Sequence, residues 1–169
     1  MPRTDFQQVS DSARVWVFGA DTRLEGETAS GLLEAMDRFL EEWNAHGAPV
    51  TGARELLHGC FLLVAAEEAD LPSGCSIDSL YRTLAEAGQR LGVSMLRPLV
   101  FYRTREGEIR GVTRDEFRRE VEQGRVDLET EVFDTTIESM KQLRSDGLGR
   151  PAAESWHATA FPFPQNAKR

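Results

Sequence analysis

One thiol stands where a helix is predicted to begin, in the run Ser73-Gly74-Cys75-Ser76-Ile77-Asp78. Backbone N–H groups point outward at a helix start, so a cysteine there can have a lowered pKa and an anion there is favoured. Two chemistries follow. In the first, Cys75 is a nucleophile or redox thiol with His46 or His157 as its base. In the second, Gly74, Cys75, Ser76 and Asp78 form a turn that binds a small anion or a peptide. The competing structural reading is a small residue filling a tight Gly-Cys-Ser turn. No flanking signature of a cysteine enzyme is present, so no catalytic residue is assigned; Cys75, His46 and His157 remain candidates, and the expectation leans away from an enzyme.

Other site chemistries find less support. Cys60 lies in the apolar run Cys60–Ala66 and reads as core. The carboxylates Asp21, Glu67, Glu68, Asp70 and Asp78 follow no EF-hand spacing, and His46, His58 and His157 are scattered without Cys-x-x-Cys or His-Glu-x-x-His, so no metal and no cofactor is expected. The Ser73–Ser76 turn lacks the P-loop glycines and lysine, which removes ATP hydrolysis. Ser155-Trp156-His157 followed by Phe161-Pro162-Phe163-Pro164 suits a docking tail, with Trp156 buried and His157 hydrogen-bonded, or a ligand-facing one.

A net charge of −8 argues against nucleic acid as a partner. The charge is uneven: residues 97–125 hold eight arginines against six acidic residues. That segment is a candidate anion face, or a solvated surface with interleaved pairs such as Arg118 and Glu122. The longest apolar run is far short of the roughly 20 residues of a membrane span, and no charged-then-apolar leader opens the chain, so the expectation is a soluble, cytoplasmic protein with no membrane partner and with both thiols reduced.

The elements that would position these residues follow from periodicity. Residues 1–13 show none and are expected to be disordered. Val15-Trp16-Val17-Phe18 reads as a central strand. Ala29, Leu32, Leu33, Met36, Leu40 and Trp43 form one helix face, ending with His46 in the last turn and Gly47 as a left-handed cap. Val50–Leu57 and Gly59–Ala66 form a hairpin about His58-Gly59. After a loop containing Pro72, Ser76 caps a helix carrying Ile77, Leu80, Leu84, Ala87 and Leu91, closed by Gly92, with Asp78 in its first turn. Leu99–Tyr102 and Ile109–Val112 make a second hairpin. Thr113 and Glu116 form a capping box, with Val112 and Phe117 as a hydrophobic staple. Glu131–Phe133 is extended, Thr135-Thr136 caps a last helix with Ile137, Met140 and Leu143, and the proline-bearing residues 150–169 form an extended tail docked on a single domain spanning 14–149.

The order β-α-β-β-α-β across 14–104 predicts an α+β protein with a ferredoxin-like core, first and third strands central, extended by a hairpin strand and two C-terminal helices. A mixed α/β sheet is the alternative. In this topology Cys75 shares an end of the sheet with His46, Gly47, Arg103 and Arg105, while Asp21, Arg23 and His58 lie at the other. Arg103 therefore joins the expected ligand-binding set, and Trp156 and His157 join it from the tail, which can reach either end.

Val15-Trp16-Val17-Phe18, Trp43-Asn44-Ala45-His46-Gly47, Ser73–Asp78 and Ser155-Trp156-His157 together resemble, over residues 14–161, a family of small bacterial proteins of uncharacterised activity whose members sometimes carry an "ABC transporter ATPase" label. The resemblance implies a single intact domain and no activity. The function expected is a non-enzymatic binding or interaction domain for a small anion, a peptide or a protein partner at Ser73–Asp78. A thiol-dependent enzyme or redox protein using Cys75 is the alternative. An exposed strand edge would also allow homodimerisation.

Overall fold

A computed structural model describes residues 3–67 and 73–164. Glu68, Asp70 and Pro72 lie outside the described residues. In chain order the elements are β1 (Arg14–Gly19), α1 (Gly26–Glu42), β2 (Asn44–Ala45), β3 (Ala48–Pro49), β4 (Gly52–Leu57), β5 (Phe61–Ala66), α2 (Gly74–Leu91), β6 (Val100–Arg103), β7 (Ile109–Val112), α3 (Arg114–Glu122), β8 (Glu131–Phe133), α4 (Met140–Asp146), β9 (Gly149–Pro151) and α5 (His157–Ala160). The protein is α+β, and its named strands pair antiparallel. Where the sequence predicts one domain, the chain divides into two compact units, Met1–Arg97 with Thr135–Ser145, and Pro98–Asp134 with Asp146–Arg169. Among the described residues no helix is long and apolar enough to cross a membrane.

In the first unit β5 is buried at every position and lies at the centre of a three-stranded sheet, order β1-β5-β4. Alternation sends Trp16, Phe18, Leu62 and Val64 into one cluster with Leu32, Met36 and Leu40 of α1 and Leu80 and Leu84 of α2. Full burial of each such aliphatic side chain contributes roughly 1.5–3 kcal/mol. The β4–β5 hairpin turns through His58 and Gly59, at φ +57° and +65°, with Cys60 N–H donating to Leu57 O at 3.1 Å. Positive φ at both central residues of the Leu57–Cys60 turn is what a type I′ turn demands.

Several expectations are corrected here. β1 is an edge strand rather than a central one. Residues 138–141 cover its outer side: Val15 N–H donates to Glu138 O and Met140 N–H to Ala13 O, both at 2.9 Å. Residues 3–13 are not disordered. Phe6, Val9 and Ala13 are buried, Thr4 N–H donates to Gly52 O, and Arg144 holds Asp11 at 2.6 Å and the carbonyls of Gln7 and Val9. Single anchors and backbone groups hold this segment, so no periodic pattern marks it. Helix α1 stops at Glu42, and His46 and Gly47, at φ +53° and +82°, make the turn of the β2–β3 hairpin instead of a helix end. Helix α2 starts a turn earlier than predicted. Its cap is Ser73, whose Oγ accepts from Ser76 N–H at 3.2 Å, so Asp78 falls beyond the first turn. Gly92 closes it at φ +76°, as predicted.

The second unit holds a four-stranded sheet, order β7-β6-β8-β9. The strand expected to complete a ferredoxin-like sheet, β6, belongs here, because Tyr102 is paired on both sides, opposite Arg110 and Val132. The capping box of α3 is present: Glu116 N–H donates to Thr113 Oγ1 at 3.2 Å and Thr113 N–H to Glu116 Oε1 at 2.8 Å. Val112 and Phe117, the predicted staple, share a buried cluster with Tyr102, Val121, Phe161 and Phe163. Two C-terminal expectations change. Helix α4 begins at Met140, with Ser139 Oγ accepting from Gln142 N–H, so Thr135-Thr136 is a turn and not its cap. The segment from 150 is not simply extended, since it contributes β9, a 3-10 turn at Ala152–Glu154, and α5 before Phe161 and Phe163 bury against Phe117.

Candidate functional site

The predicted helix-start site is committed to structure. Ser76 Oγ donates to Asn44 O at 2.8 Å and Trp43 Nε1 donates to Ser76 O at 3.0 Å, which ties the start of α2 to the end of α1. Ser76 therefore lies against the strand that precedes His46, at the end of the sheet that the predicted topology gives it. Gly74, Cys75 and Asp78 are exposed, as is His46. The opposite end gathers as predicted, with Asp21 Oδ1 accepting from Ser94 N–H and Leu24 N–H donating to Gly59 O.

Arg103, Trp156 and His157 belong to the second unit, whereas Ser73–Asp78 belong to the first. Arg103 is held by Glu131 Oε1 at 2.7 Å and Gly107 O at 2.9 Å. His157 is fully buried, hydrogen-bonded through Nδ1 to Ser155 Oγ at 2.8 Å and stacked on Trp156 at 3.9 Å. Burial pushes its pKa down to about 4, a nearby Asp134 opposing this and Arg150 and Arg114 adding to it. A base needs its lone pair accessible near neutral pH; this imidazole is neutral but enclosed. Trp156 is half-buried beneath Arg114, whose guanidinium lies 5.9 Å from its ring.

Arginine and tyrosine converge elsewhere in the second unit. Tyr102 on β6 and Arg110 on β7 are cross-strand partners, so both project to the face on which α3 packs. Tyr102 donates its hydroxyl hydrogen to Glu120 Oε2 at 3.1 Å and accepts from Arg110 Nη1 at 3.3 Å. Arg125 follows Gly124, whose φ of +78° turns the chain out of α3, and it grips Glu120 through Nε at 3.0 Å and Nη2 at 2.6 Å. Arg105, in the β6–β7 turn, donates to Gly124 O at 2.8 Å. These groups surround a cleft of about 300 Å³.

Burial raises the Tyr102 pKa, with the Arg110 charge partly offsetting it. The hydrogen bond from Arg125 lowers that of Glu120, aided by Tyr102 and the charges of Arg125 and Arg110. The phenol is therefore protonated and the carboxylate ionised at neutral pH, which suits fixed recognition better than proton transfer. Arg125 is paired with Glu120 at 2.6 Å, whereas Arg110 donates to the Tyr102 hydroxyl and acts on Glu116 and Glu120 by charge alone, with no salt-bridge contact among the described residues. A guanidinium so placed keeps donors for a phosphate or carboxylate. Among the described residues no three His, Cys, Asp or Glu side chains are grouped to hold a metal ion.

Sequence reasoning singled out the arginine excess over 97–125 without naming Tyr102, Arg110, Glu120 or Arg125. The hairpin register that pairs 102 with 110 was the signal available. Compared with family models, curated proteins and solved structures, the chain matches none.

Proposed function

We propose that the protein is a non-enzymatic binding domain whose second unit takes a small anion, a phosphate or carboxylate group, in the Tyr102–Arg110–Arg125 cleft. The observation that carries this is Arg110: a guanidinium lining a concave site, hydrogen-bonded to a buried tyrosine and in salt-bridge contact with no carboxylate among the described residues. The opposing shifts of Tyr102 and Glu120 support binding over acid–base catalysis. The reading keeps the anion expected from the sequence and moves it from the Ser73–Asp78 turn, whose serines cap and anchor a helix. NMR titration of the full chain with inorganic phosphate at low salt tests it. Saturable shifts confined to residues around 102, 110 and 125 are expected; shifts centred on 73–78 would move the site back to the helix start.

A further inference from the structure

Resting on that reading, we infer that the anion is a phosphate monoester in its doubly charged form, recognised by two arginines of the cleft, Arg105 and Arg110. Both line the same hollow of about 300 Å³ beside Tyr102. Each is oriented by a neutral oxygen: Arg105 Nη2 donates to Gly124 O at 2.8 Å, and Arg110 Nη1 donates to the Tyr102 hydroxyl at 3.3 Å. A carbonyl or a phenol fixes a guanidinium without cancelling its charge. Neither arginine is in salt-bridge contact with a carboxylate among the described residues, in contrast to Arg125 with Glu120 and Arg103 with Glu131.

The other charges around the cleft nearly balance. Glu120 is paired with Arg125 at 2.6 Å. Glu106, exposed in the same turn as Arg105, opposes any anion, and the Arg110 charge is shared with Glu116 and Glu120. Three guanidiniums still line the cleft against two carboxylates, and that surplus favours the ligand of greater negative charge. The supply of acceptors points the same way. A carboxylate has two oxygens and matches one guanidinium fork, whereas a phosphate monoester brings three terminal oxygens and nearly two charges at neutral pH, enough for both arginines. A phosphate group alone fills only part of a hollow of this size, which leaves room for the carbon atoms to which it is bonded.

Calorimetric titration of the full chain at low salt with methyl phosphate, methyl sulfate and inorganic phosphate tests the inference. The two esters share a tetrahedral shape and differ in charge. At pH 7.5 methyl phosphate is expected to bind about three- to fivefold more tightly than methyl sulfate, the range an exposed ion pair allows. Lowering the pH to 5 protonates methyl phosphate, whose second pKa is near 6, and should bring the two esters together; methyl sulfate gains no proton and reports any change in the protein. Arg105→Met should remove most of the preference at pH 7.5, and Arg105→Lys, which keeps the charge, should restore it. Equal binding of the esters at pH 7.5, or a preference unchanged at pH 5, would overturn the doubly charged ligand while leaving the anion cleft standing. A preference that survives Arg105→Met would overturn the role given to Arg105, and inorganic phosphate binding more tightly than methyl phosphate would overturn the ester. Failure of all three anions to bind would overturn the anion cleft itself.

Discussion

Acidifying the protein from pH 7.5 to pH 4 should destabilise the second unit through one residue, His157. Its imidazole is fully buried, and burial lowers its pKa from 6.5 to about 4. In the unfolded chain it takes up a proton near pH 6.5; in the fold it does not until about pH 4. Between those values the unfolded state binds more protons, so stability falls as pH falls, and the loss is complete below about pH 4. At about 1.4 kcal/mol per pH unit the full effect is about 3 kcal/mol. Carboxylates titrate over part of the same range, so the readout is a difference. Urea unfolding followed by tryptophan fluorescence at pH 7.5, 6.5, 5.5 and 4.5 should show the native protein losing stability faster than His157→Phe, which keeps an aromatic ring on Trp156 and Phe117 but cannot charge. If the variant folds poorly, NMR titration of the His157 ring in the native chain gives the same answer, remaining neutral down to about pH 4. Parallel pH profiles, or an imidazole that protonates near 6.5, would refute the reasoning.

Three further outcomes are expected. Gly88→Ala should destabilise the first unit by about 1–3 kcal/mol, because an added Cβ would overlap the Val93 carbonyl oxygen in the close that ends α2, and a thermal melt reads it. Thr113→Ala removes the capping box of α3 and should cost about 1 kcal/mol in urea unfolding, with Thr113→Ser restoring most of it. Cys75→Ser, at an exposed position, should change stability by less than about 0.5 kcal/mol and leave phosphate binding unaltered; a loss of binding would restore the thiol to the site.

The parts of the fold that could be read from sequence are those set by local rules. Thr113 and Glu116 announce a helix start because both halves of the box lie within four residues, and His58-Gly59 announces a hairpin because the turn needs two positive φ values. What escaped is non-local. Nothing near β1 shows that residues 138–141 cover its edge, and nothing in Val100–Arg103 says which sheet it joins, since apolar alternation is the same for either. At His46 the sequence is ambiguous, because Gly after an amphipathic run signals a helix cap and a hairpin turn equally. The candidate cleft was half visible: the local arginine excess was plain, but choosing Arg110 and Arg125 over Arg103 required knowing which carboxylates reach them. Arg103, the arginine the sequence favoured, proves to be held by Glu131.

The central claim turns on Arg110. Calorimetric titration of inorganic phosphate into the full chain, beside Arg110→Met, tests it most directly, because methionine keeps an unbranched apolar side chain and removes the charge. Loss of one charge-assisted contact is worth about 1.5–3 kcal/mol, so the variant should bind at least about tenfold more weakly. Equal phosphate affinity in the two proteins would contradict the account.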